Sequence, residues 1–319
     1  MKKIGLLGAG THSALHCTAL RAIKEQYPER VELASVCSRD GTRAKDYAAR
    51  FGFRRSYTDV GKMMRTEHLD GLIAITPEKR NAEIARTLLP YGVALLIEKP
   101  PGTSSSEAWS LQEEVEKRGV KHMTSYNRRF SPAFKKMLDW IGEEPVKRKP
   151  SYVLARMLRH HRLEPHFVSG TAIHVFDPAL FLLGPASRVD TVILPAASKS
   201  CLHYYSRVRF QEGGYAEFVI APDVGIVEES YEIHGPSYRI LVDFWRCRVS
   251  IAEADAVVLE WGAPEGILRE YEDGTINETL AFLSMLEGDV ATLPTVTSGA
   301  FGLRLAEAIE AGGIVKLEM

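Results

Sequence analysis

The sequence predicts an α/β protein, with a doubly wound parallel sheet in residues 1–124 and an open-faced, largely antiparallel α+β domain in residues 125–319. Three observations predict this class. Strand-like and helix-like segments alternate in the first third, a glycine-rich turn follows the first strand, and short β-prone segments dominate from residue 151 onward. Alternating strands and helices need crossover connections, which produce a parallel sheet with helices on both faces.

The first domain is predicted from apolar runs that alternate with helical periodicity. Strands are expected at residues 4–7, 31–37, 72–75, 94–97 and 121–125, and helices at residues 14–26, 42–51, 81–90 and 106–118. Ligands of such sheets bind beyond the carboxyl ends of the strands. The residues directly after each strand are therefore the candidate site.

The second domain is predicted from β-prone segments bounded by Gly, Pro or Asp. Strands are expected at residues 151–158, 189–194, 204–211, 215–220, 230–234, 238–242 and 249–252. Helices are expected at residues 170–183, 275–286 and 298–311. The sequence shows no internal repeat or low-complexity tract.

Composition excludes several classes of protein. The 319 residues carry a net charge of −1, so no global basic field favours nucleic acid or an anionic membrane. Four separated cysteines without a CxxC pair suggest reduced thiols rather than a disulfide framework or a zinc site. The cysteine spacing therefore predicts no metal site. With no apolar signal core and no long apolar run, we expect a cytoplasmic protein.

The turn after the first strand has the pattern of a dinucleotide site, and its candidate cofactor-binding residues are Gly8, Gly10, Thr11, His12 and Ser13. Gly8 permits a tight turn, Gly10 lets the backbone approach a pyrophosphate, and the following helix presents free amides to the anion. Ser13 stands where the motif has Gly or Ala, so the match is partial. An ordinary strand-to-helix turn is the alternative.

The second strand ends in residues that favour NADP(H) over NAD(H). Ser38 stands where an NAD-binding fold places an acid, and Arg39 follows it, with Arg43 one helical turn later. An acid would repel a 2′-phosphate, whereas a hydroxyl and a guanidinium can bind one. The alternative is that both arginines are merely solvated.

The strand at residues 94–97 ends in the charged pair Glu98 and Lys99, followed by Pro100. A lysine ammonium at this edge of the sheet could donate a hydrogen bond to a substrate oxygen or relay a proton. Lys99 is therefore the first candidate catalytic residue. A surface ion pair before a proline turn is the alternative.

Together the motifs resemble a family of oxidoreductases. They are Gly8-Ala9-Gly10, Thr76-Pro77, Glu98-Lys99-Pro100, Tyr126-Asn127-Arg128-Arg129-Phe130, and His174 followed by Asp177. The combination resembles the glucose-fructose oxidoreductase/inositol dehydrogenase/MocA family, and the resemblance extends from residue 1 to at least Gly184. It implies an NAD(P)-binding Rossmann domain, a sheet domain that often forms the oligomer interface, and oxidation or reduction of a sugar, polyol or related compound.

The resemblance also implies roles for individual residues. Lys99 matches the family's catalytic lysine, and His174 matches a histidine that accepts or donates the substrate proton, in keeping with its usual pKa near 6.5. The remaining implied site residues are Thr76 and Pro77 beside the nicotinamide, Glu98 at the ribose, Asn127 at the carboxamide, and Asp177 as a candidate substrate-binding residue. By itself, a histidine in an Ile-His-Val-Phe context is more often a semi-buried structural residue, and only the other motifs favour a catalytic role for His174.

Three departures from the family pattern bear on activity. Gly170 replaces the acid that family members often carry four residues before the histidine. The family's TPNxxH pattern reads Thr76-Pro77-Glu78-Lys79-Arg80-Asn81, which replaces both its Asn and its His. These changes affect the substrate, the proton relay and dehydrogenase activity itself.

The strongest local charge bias lies between residues 147 and 166. This segment holds Lys147, Arg148, Lys149, Arg156, Arg159, Arg162, His160, His161 and His166 against one acid, Glu164. The bias predicts that Arg156 and the three histidines bind a carboxylate or phosphate of the substrate. A solvated basic surface is the alternative, and metal chelation by the histidines is disfavoured because neighbouring side chains point apart.

The sequence therefore predicts an NADP-preferring oxidoreductase that acts on a small sugar-like molecule, with Lys99 polarising the oxygen and His174 exchanging its proton. We expect a homodimer or homotetramer that assembles through the second sheet. Two other classes stay open, namely a glycoside hydrolase that uses bound NAD and a non-catalytic NADP-binding sensor.

Overall fold

A computed structural model describes residues 1–196, 201–289 and 292–317. The chain forms two compact units: Met1–Asn127 with Thr275–Ala300, and Arg128–Gly274 with the segment from Phe301 onward. The expected boundary at residues 124 and 125 differs from this division, because the segment 275–300 returns to the first unit. Local sequence patterns do not reveal this return, which depends on packing between distant segments.

The first unit alternates strands and helices along the chain. They are β1 (Lys2–Leu7), α1 (Thr11–Gln26), β2 (Val31–Cys37), α2 (Gly41–Phe51), β3 (Arg55–Tyr57), α3 (Val60–Glu67), β4 (Gly71–Ala74), α4 (Asn81–Leu88), β5 (Ala94–Ile97), α5 (Ser105–Arg118) and β6 (His122–Thr124). The predicted elements are all present within a few residues of their expected bounds. β3 and α3 were not predicted, since β3 has only three residues and no apolar run.

The six strands of this unit form one parallel sheet in the order β3-β2-β1-β4-β5-β6. This confirms the predicted doubly wound sheet. β4 and β5 are buried at every position, as a sheet covered on both faces requires. The strand order reverses between β1 and β4, and such a switch point opens a crevice at the carboxyl ends of the strands.

The second unit combines a large sheet with a few helices. Its elements are α6 (Pro132–Glu143), β7 (Tyr152–Leu158), α7 (Ile173–Leu183), β8 (Ala186–Pro195), β9 (Leu202–Phe210), β10 (Tyr215–Ala221), β11 (Glu228–Gly235), β12 (Tyr238–Asp243), β13 (Arg248–Glu253), β14 (Ala256–Gly262), α8 (Arg269–Glu272) and β15 (Gly313–Lys316). Between α8 and β15 the chain forms α9 (Thr275–Glu287), which belongs to the first unit, and α10 (Val296–Ala311), which begins in the first unit and ends in the second. α6, α8, β14 and β15 were not predicted. A π-helical turn, Val168–Ala172, leads directly into α7.

Among the described residues, nine strands form the second sheet, in the order β14-β13-β12-β11-β7-β10-β9-β8-β15. All neighbours are antiparallel except β7 and β10, so the predicted largely antiparallel sheet is confirmed. In β7, the buried residues Val153, Ala155 and Met157 alternate with partly exposed ones. Phe176 of α7 contacts Phe218 of β10 edge to face, with 5.1 Å between ring centroids. One face of the sheet is thus covered by α7, and the other is open.

None of the described helices is both long enough and apolar enough to cross a membrane.

Candidate functional site

A cavity of 590 Å³ lies in the first unit where β1, β2 and β4 end. Its lining includes ten residues predicted to bind a cofactor: Gly8, Gly10, Thr11, His12, Ser13, Ser38, Arg39, Arg43, Thr76 and Pro77. The cavity coincides with the switch point of the sheet, the usual ligand position in this architecture. Residues that are far apart in the sequence thus meet around one space large enough for a small-molecule ligand.

The two glycines of the turn have different physical roles. Gly8 has φ +114°, and a Cβ there would lie 2.1 Å from the carbonyl oxygen of Ile75. Gly10 is the N-cap residue of α1, and a Cβ at Gly10 would meet no atom within 4 Å. Folding therefore requires glycine at position 8, whereas glycine at position 10 leaves open space in front of the helix N-terminus.

Local hydrogen bonds hold this turn in shape. The Gly10 amide donates to Ser13 Oγ at 3.3 Å, which gives the serine in the third motif position a structural role. The Tyr47 hydroxyl donates to the Gly10 carbonyl at 2.7 Å. The turn is thus fixed from its own helix and from α2.

The end of β2 presents one unpaired guanidinium to the cavity. Asp40 caps α2 by accepting from the amides of Thr42 and Arg43, and its second oxygen lies 3.4 Å from Arg43 Nε. Within the described ranges Arg39 forms no ion pair. Arg39 is therefore the cation best able to receive an anionic group beside Ser38.

Asn81 links the ends of β4 and β5. Its Oδ1 accepts from Thr76 Oγ1 at 2.7 Å, and its Nδ2 donates to the carbonyls of Glu98 at 3.0 Å and Pro100 at 2.9 Å. Asn81 is 2% exposed. Sequence analysis noted this residue only as a departure from a motif, but it fixes the backbone on both sides of Lys99.

Glu98 is buried and does not line the cavity described above. Its Oε2 lies 3.8 Å from Nε2 of buried His16 in α1. Burial raises the pKa of Glu98, but His16, Lys99 and His12 outweigh burial and hold that pKa below its usual value. The next residue, Lys99, is half-buried and joined to Pro100 by a cis peptide bond.

In the second unit, His174 lies in the first turn of α7 and is 8% exposed. Its backbone carbonyl accepts a hydrogen bond from the Tyr231 hydroxyl at 3.2 Å. Gly170 belongs to the π-helical turn before α7, so no carboxylate accompanies His174 from that position. Asn127 of the first unit donates through Nδ2 to Thr275 Oγ1 at 3.4 Å.

Asp177 does not fit its predicted role in substrate binding. It is 1% exposed, and both carboxylate oxygens accept from Arg129, through Nε and Nη2, at 2.6 Å each. Burial raises the pKa of Asp177, and Arg129 opposes that rise. Both carboxylate oxygens are thus bound by an internal partner, and burial keeps them from a substrate in solution.

A second buried carboxylate, Glu229 of β11, joins two arginines. Arg128 Nε lies 2.7 Å and Arg159 Nη2 lies 2.5 Å from its oxygens. Burial raises the pKa of Glu229, but the two guanidinium groups prevail and hold it below its usual value. Sequence analysis missed this triad because its members are separated by up to 101 positions.

The basic segment between residues 147 and 166 is largely neutralised by acids from elsewhere. Five of its six cations form ion pairs: Lys147 with Glu144 and Glu253, Arg148 with Glu143, Glu144 and Glu253, Lys149 with Glu212, Arg159 with Glu229, and Arg162 with Glu164. Most of these acids lie outside the segment, and Glu229 and Glu253 lie on strands β11 and β13. The expected anion site in this segment therefore loses most of its charge.

Arg156 and His174 occupy opposite sides of the second sheet. Arg156 alternates with the buried residues Ala155 and Met157, so it faces the open side, whereas α7 covers the other. Arg156, a predicted substrate-binding residue, therefore lies on the open side of the sheet. His160, His161 and His166 are exposed, and His160 Nδ1 lies 3.1 Å from the Val224 carbonyl. The described part of the chain holds no group of three potential metal ligands.

Comparison with known proteins relates the first unit to a family. Residues 2–126 match the GFO_IDH_MocA family model, which is described as an oxidoreductase family with an NAD-binding Rossmann fold. The residues that line the cavity lie in this matched part, as do the glycine turn and the pair Glu98 and Lys99. His174 and Asp177 lie outside it.

Two named proteins are similar to part of this chain. A 4-carboxy-2-hydroxymuconate-6-semialdehyde dehydrogenase of Sphingobium sp. is 26% identical over 60% of this chain and 62% of its own length. A D-apiose dehydrogenase of Paraburkholderia graminis is 26% identical over 59% of this chain and 51% of its own length. The alignments thus span less than two thirds of either relative.

A solved structure extends the likeness to both units of this protein. A levoglucosan dehydrogenase in complex with NADH and L-sorbose matches with a TM-score of 0.85. The match covers 100% of this chain and 99% of that one, at 20% sequence identity. At this identity the likeness demonstrates the shared fold.

Proposed function

We propose that this protein is an NAD(P)-dependent oxidoreductase that transfers a hydride to or from a CH–OH or carbonyl carbon of a sugar or polyol. The observation that carries the proposal is the cavity at the switch point of the first sheet, because ten predicted cofactor residues line it. The names of the relatives, which are dehydrogenases of small hydroxyl or carbonyl compounds, support the reaction class.

The residues around the cavity suit a dinucleotide. Gly10 leaves room for a pyrophosphate at the start of α1, where free amides and the positive end of the helix dipole favour an anion. When bound, the nicotinamide group supplies hydride exchange with the substrate carbon. The chain's own task is to hold the dinucleotide and to manage the charge and proton at the substrate oxygen.

A preference for NADP(H) rests on the end of β2. Ser38 carries no charge and Arg39 has no acidic partner in the described ranges, so a 2′-phosphate meets a donor and a cation. Asp40 is occupied as the cap of α2 and as the partner of Arg43. The carboxylate of Asp40 is therefore already neutralised by Arg43 and does not compete for Arg39.

Lys99 and His174 are proposed as the catalytic residues. The Lys99 ammonium donates a hydrogen bond to the substrate oxygen and stabilises negative charge that develops there. His174 exchanges the hydroxyl proton, for which an imidazole is suited near neutral pH. Asn81 keeps the Lys99 backbone in place through the carbonyls of Glu98 and Pro100.

A neutral sugar or polyol suits the second unit better than an anionic substrate. The basic segment is paired internally, and Arg156 faces the open side of the sheet. That open side carries exposed apolar residues, including Val192, Leu194 and Tyr205. We propose that a second copy of the chain covers this open side of the sheet. A cytoplasmic location stays a prediction.

The first test is thermal unfolding in the presence of NADP+, NADPH, NAD+ or NADH. A ligand at about 100 times its dissociation constant stabilises a protein by roughly 2.7 kcal/mol if it binds only the folded state. We expect the phosphorylated pair to raise the melting temperature more than NAD+ and NADH do. Absence of protection by all four would overturn the proposal.

The second test separates catalysis from cofactor binding. Lys99→Ala should abolish turnover over a panel of sugars and polyols while the cofactor still protects the protein from unfolding. Lys79→Ala, a lysine outside the cavity lining, is the matched control and should retain activity. Cofactor binding without turnover in the unmodified protein would favour a non-catalytic sensor, and glycoside cleavage without net reduction would favour a hydrolase.

A further inference from the structure

The helix that carries His174 contains a proline. Pro178 lies inside α7, four residues after His174. In a helix the amide of residue i donates to the carbonyl of residue i−4, but proline has no amide hydrogen and its ring crowds that carbonyl. The usual helical donor to the His174 carbonyl therefore does not exist.

The Tyr231 hydroxyl supplies a donor at this point. It lies 3.2 Å from the His174 carbonyl oxygen, and Tyr231 is 1% exposed. Burial, with the neighbouring Glu229 carboxylate, raises the pKa of Tyr231 well above its usual value, so the hydroxyl keeps its proton. A buried, protonated hydroxyl thus takes the place of the missing amide.

Tyr231 itself is held firmly. It lies in β11, which is paired on both sides, with β12 and β7. Phe134 of α6 contacts its ring edge to face, with 6.1 Å between centroids. The hydroxyl therefore has a fixed position relative to the sheet.

Two adjacent arginines tie the same strand and helix together. Arg128 binds Glu229, two positions before Tyr231 in β11, and Arg129 binds Asp177, three positions after His174 in α7. Arg129 also stacks on Phe181 of α7, with 4.5 Å from its guanidinium carbon to the ring centroid. The first turns of α7 are thus fixed against β11 by contacts on both sides of the proline.

We propose that Tyr231 is a positioning residue for His174, because its hydroxyl replaces the helix hydrogen bond that Pro178 removes. The inference rests on the proposed role of His174 in proton exchange. Without the hydroxyl, the first turn of α7 keeps its sequence but loses the donor that fixes its carbonyl. The imidazole is then held less closely in its reactive position, which lowers the rate more than substrate binding.

The test is a double-mutant cycle with Tyr231→Phe and Pro178→Ala. Tyr231→Phe should lower kcat about tenfold with little change in KM, because a buried carbonyl loses its donor. Pro178→Ala alone should keep nearly full activity. The double variant should recover most of kcat, because replacing the proline by alanine restores an amide that can donate to the His174 carbonyl.

A matched control separates this effect from the loss of any buried hydroxyl. Tyr238 of β12 also donates to a backbone carbonyl, that of Arg148, at 2.9 Å. Tyr238→Phe should raise the unfolding equilibrium constant about as much as Tyr231→Phe does, while leaving kcat unchanged. An equal fall in kcat in both tyrosine variants would overturn the positioning role.

Urea unfolding of the four proteins of the cycle distinguishes this proposal from the proposed function. Tyr231→Phe should raise the unfolding equilibrium constant about tenfold when Pro178 is present and clearly less when the protein also carries Pro178→Ala. This coupling is measurable even if no substrate is turned over, in which case only the catalytic assignment fails. Identical effects of Tyr231→Phe in the two backgrounds would refute the compensation.

Discussion

Arg129 donates two hydrogen bonds of 2.6 Å to the two carboxylate oxygens of Asp177, and their side chains are only 9% and 2% exposed. This bidentate geometry fixes both groups in direction as well as in distance. Because both charges are removed from water, each depends on the other for its stabilisation. The pair therefore joins the short turn at Asn127–Phe130 to helix α7.

Breaking this pair from one side should strongly destabilise the fold. Asp177→Asn leaves a buried guanidinium without its counter-charge, and we expect a loss of about 3–5 kcal/mol in the free energy of unfolding. Urea denaturation measures it. The exposed pair Lys135 and Asp139 is the control, and Asp139→Asn should change stability by less than about 1 kcal/mol. Equal losses in both variants would contradict the importance of burial.

The two glycines of the first turn should respond differently to the same substitution. Gly8→Ala places a Cβ against the Ile75 carbonyl at a positive φ, so it should lower thermal stability and the yield of folded protein. Gly10→Ala meets no neighbour and should fold normally, but should weaken dinucleotide binding at the helix N-terminus. Melting curves with and without cofactor separate the two effects. Unimpaired cofactor binding by Gly10→Ala would argue against a pyrophosphate at this turn.

The preference between the two cofactors should depend on Ser38 and Arg39. Arg39→Ala removes a charge-assisted hydrogen bond, so the Kd for NADPH should rise about tenfold or more while that for NADH changes little. Ser38→Asp should reverse the preference by repelling the 2′-phosphate. Arg50→Ala, an arginine of α2 outside the cavity lining, should leave both values unchanged. Calorimetric titration measures the Kd of each of the three variants for both cofactors. Equal rises in the Kd for NADPH and for NADH in Arg39→Ala would count against a 2′-phosphate site.

Stability should fall in mild acid because of His122. Its Nε2 accepts from the Val296 amide at 3.3 Å, and burial lowers its pKa below the usual 6.5. Because the pKa of His122 is lower in the folded state, the unfolded chain binds a proton at a higher pH than the folded protein does. The contribution of His122 to the free energy of unfolding is therefore fully present above pH 6.5 and is lost as the pH falls toward the folded-state pKa. Through this one group, the free energy of unfolding changes by at most about 1.4 kcal/mol per pH unit.

The variant His122→Gln should flatten this pH dependence of unfolding between pH 7 and the folded-state pKa. Exposed His161 provides the comparison, and His161→Gln should leave the curve unchanged. Urea midpoints measured in steps across this range provide the data. A curve for His122→Gln that matches the unmodified protein would assign the acid sensitivity to another group.

Much of the first unit could be predicted because its signals are local. Glycines after a strand, a helix start and alternating apolar runs each constrain neighbouring residues, and the switch point then brings Gly8, Ser38 and Thr76 to one cavity. Short β3 lacked such a signal, since three residues with exposed or half-buried side chains show no periodicity.

The second unit shows where sequence patterns fail. The segment around Arg148 reads as basic, yet Glu143, Glu144 and Glu253 neutralise that residue in the fold. Asp177 belongs to the same short sequence motif as His174, but its ion-pair partner Arg129 lies 48 positions away. A charge in a sequence shows its sign and not its partner, so the expected anion site could not be judged before the fold was known.

The return of helix α9 to the first unit has a consequence for synthesis and dissection of the protein. Phe282 of α9 is fully buried, and a Cβ at Gly71 of β4 would lie 2.9 Å from its ring. During synthesis, the surface of β4 around Gly71 stays uncovered until α9, which follows Gly274 in the chain, has also been made. A fragment that stops at Asn127 would keep that apolar surface exposed, so a minimal dinucleotide-binding fragment needs residues 275–300 joined to it.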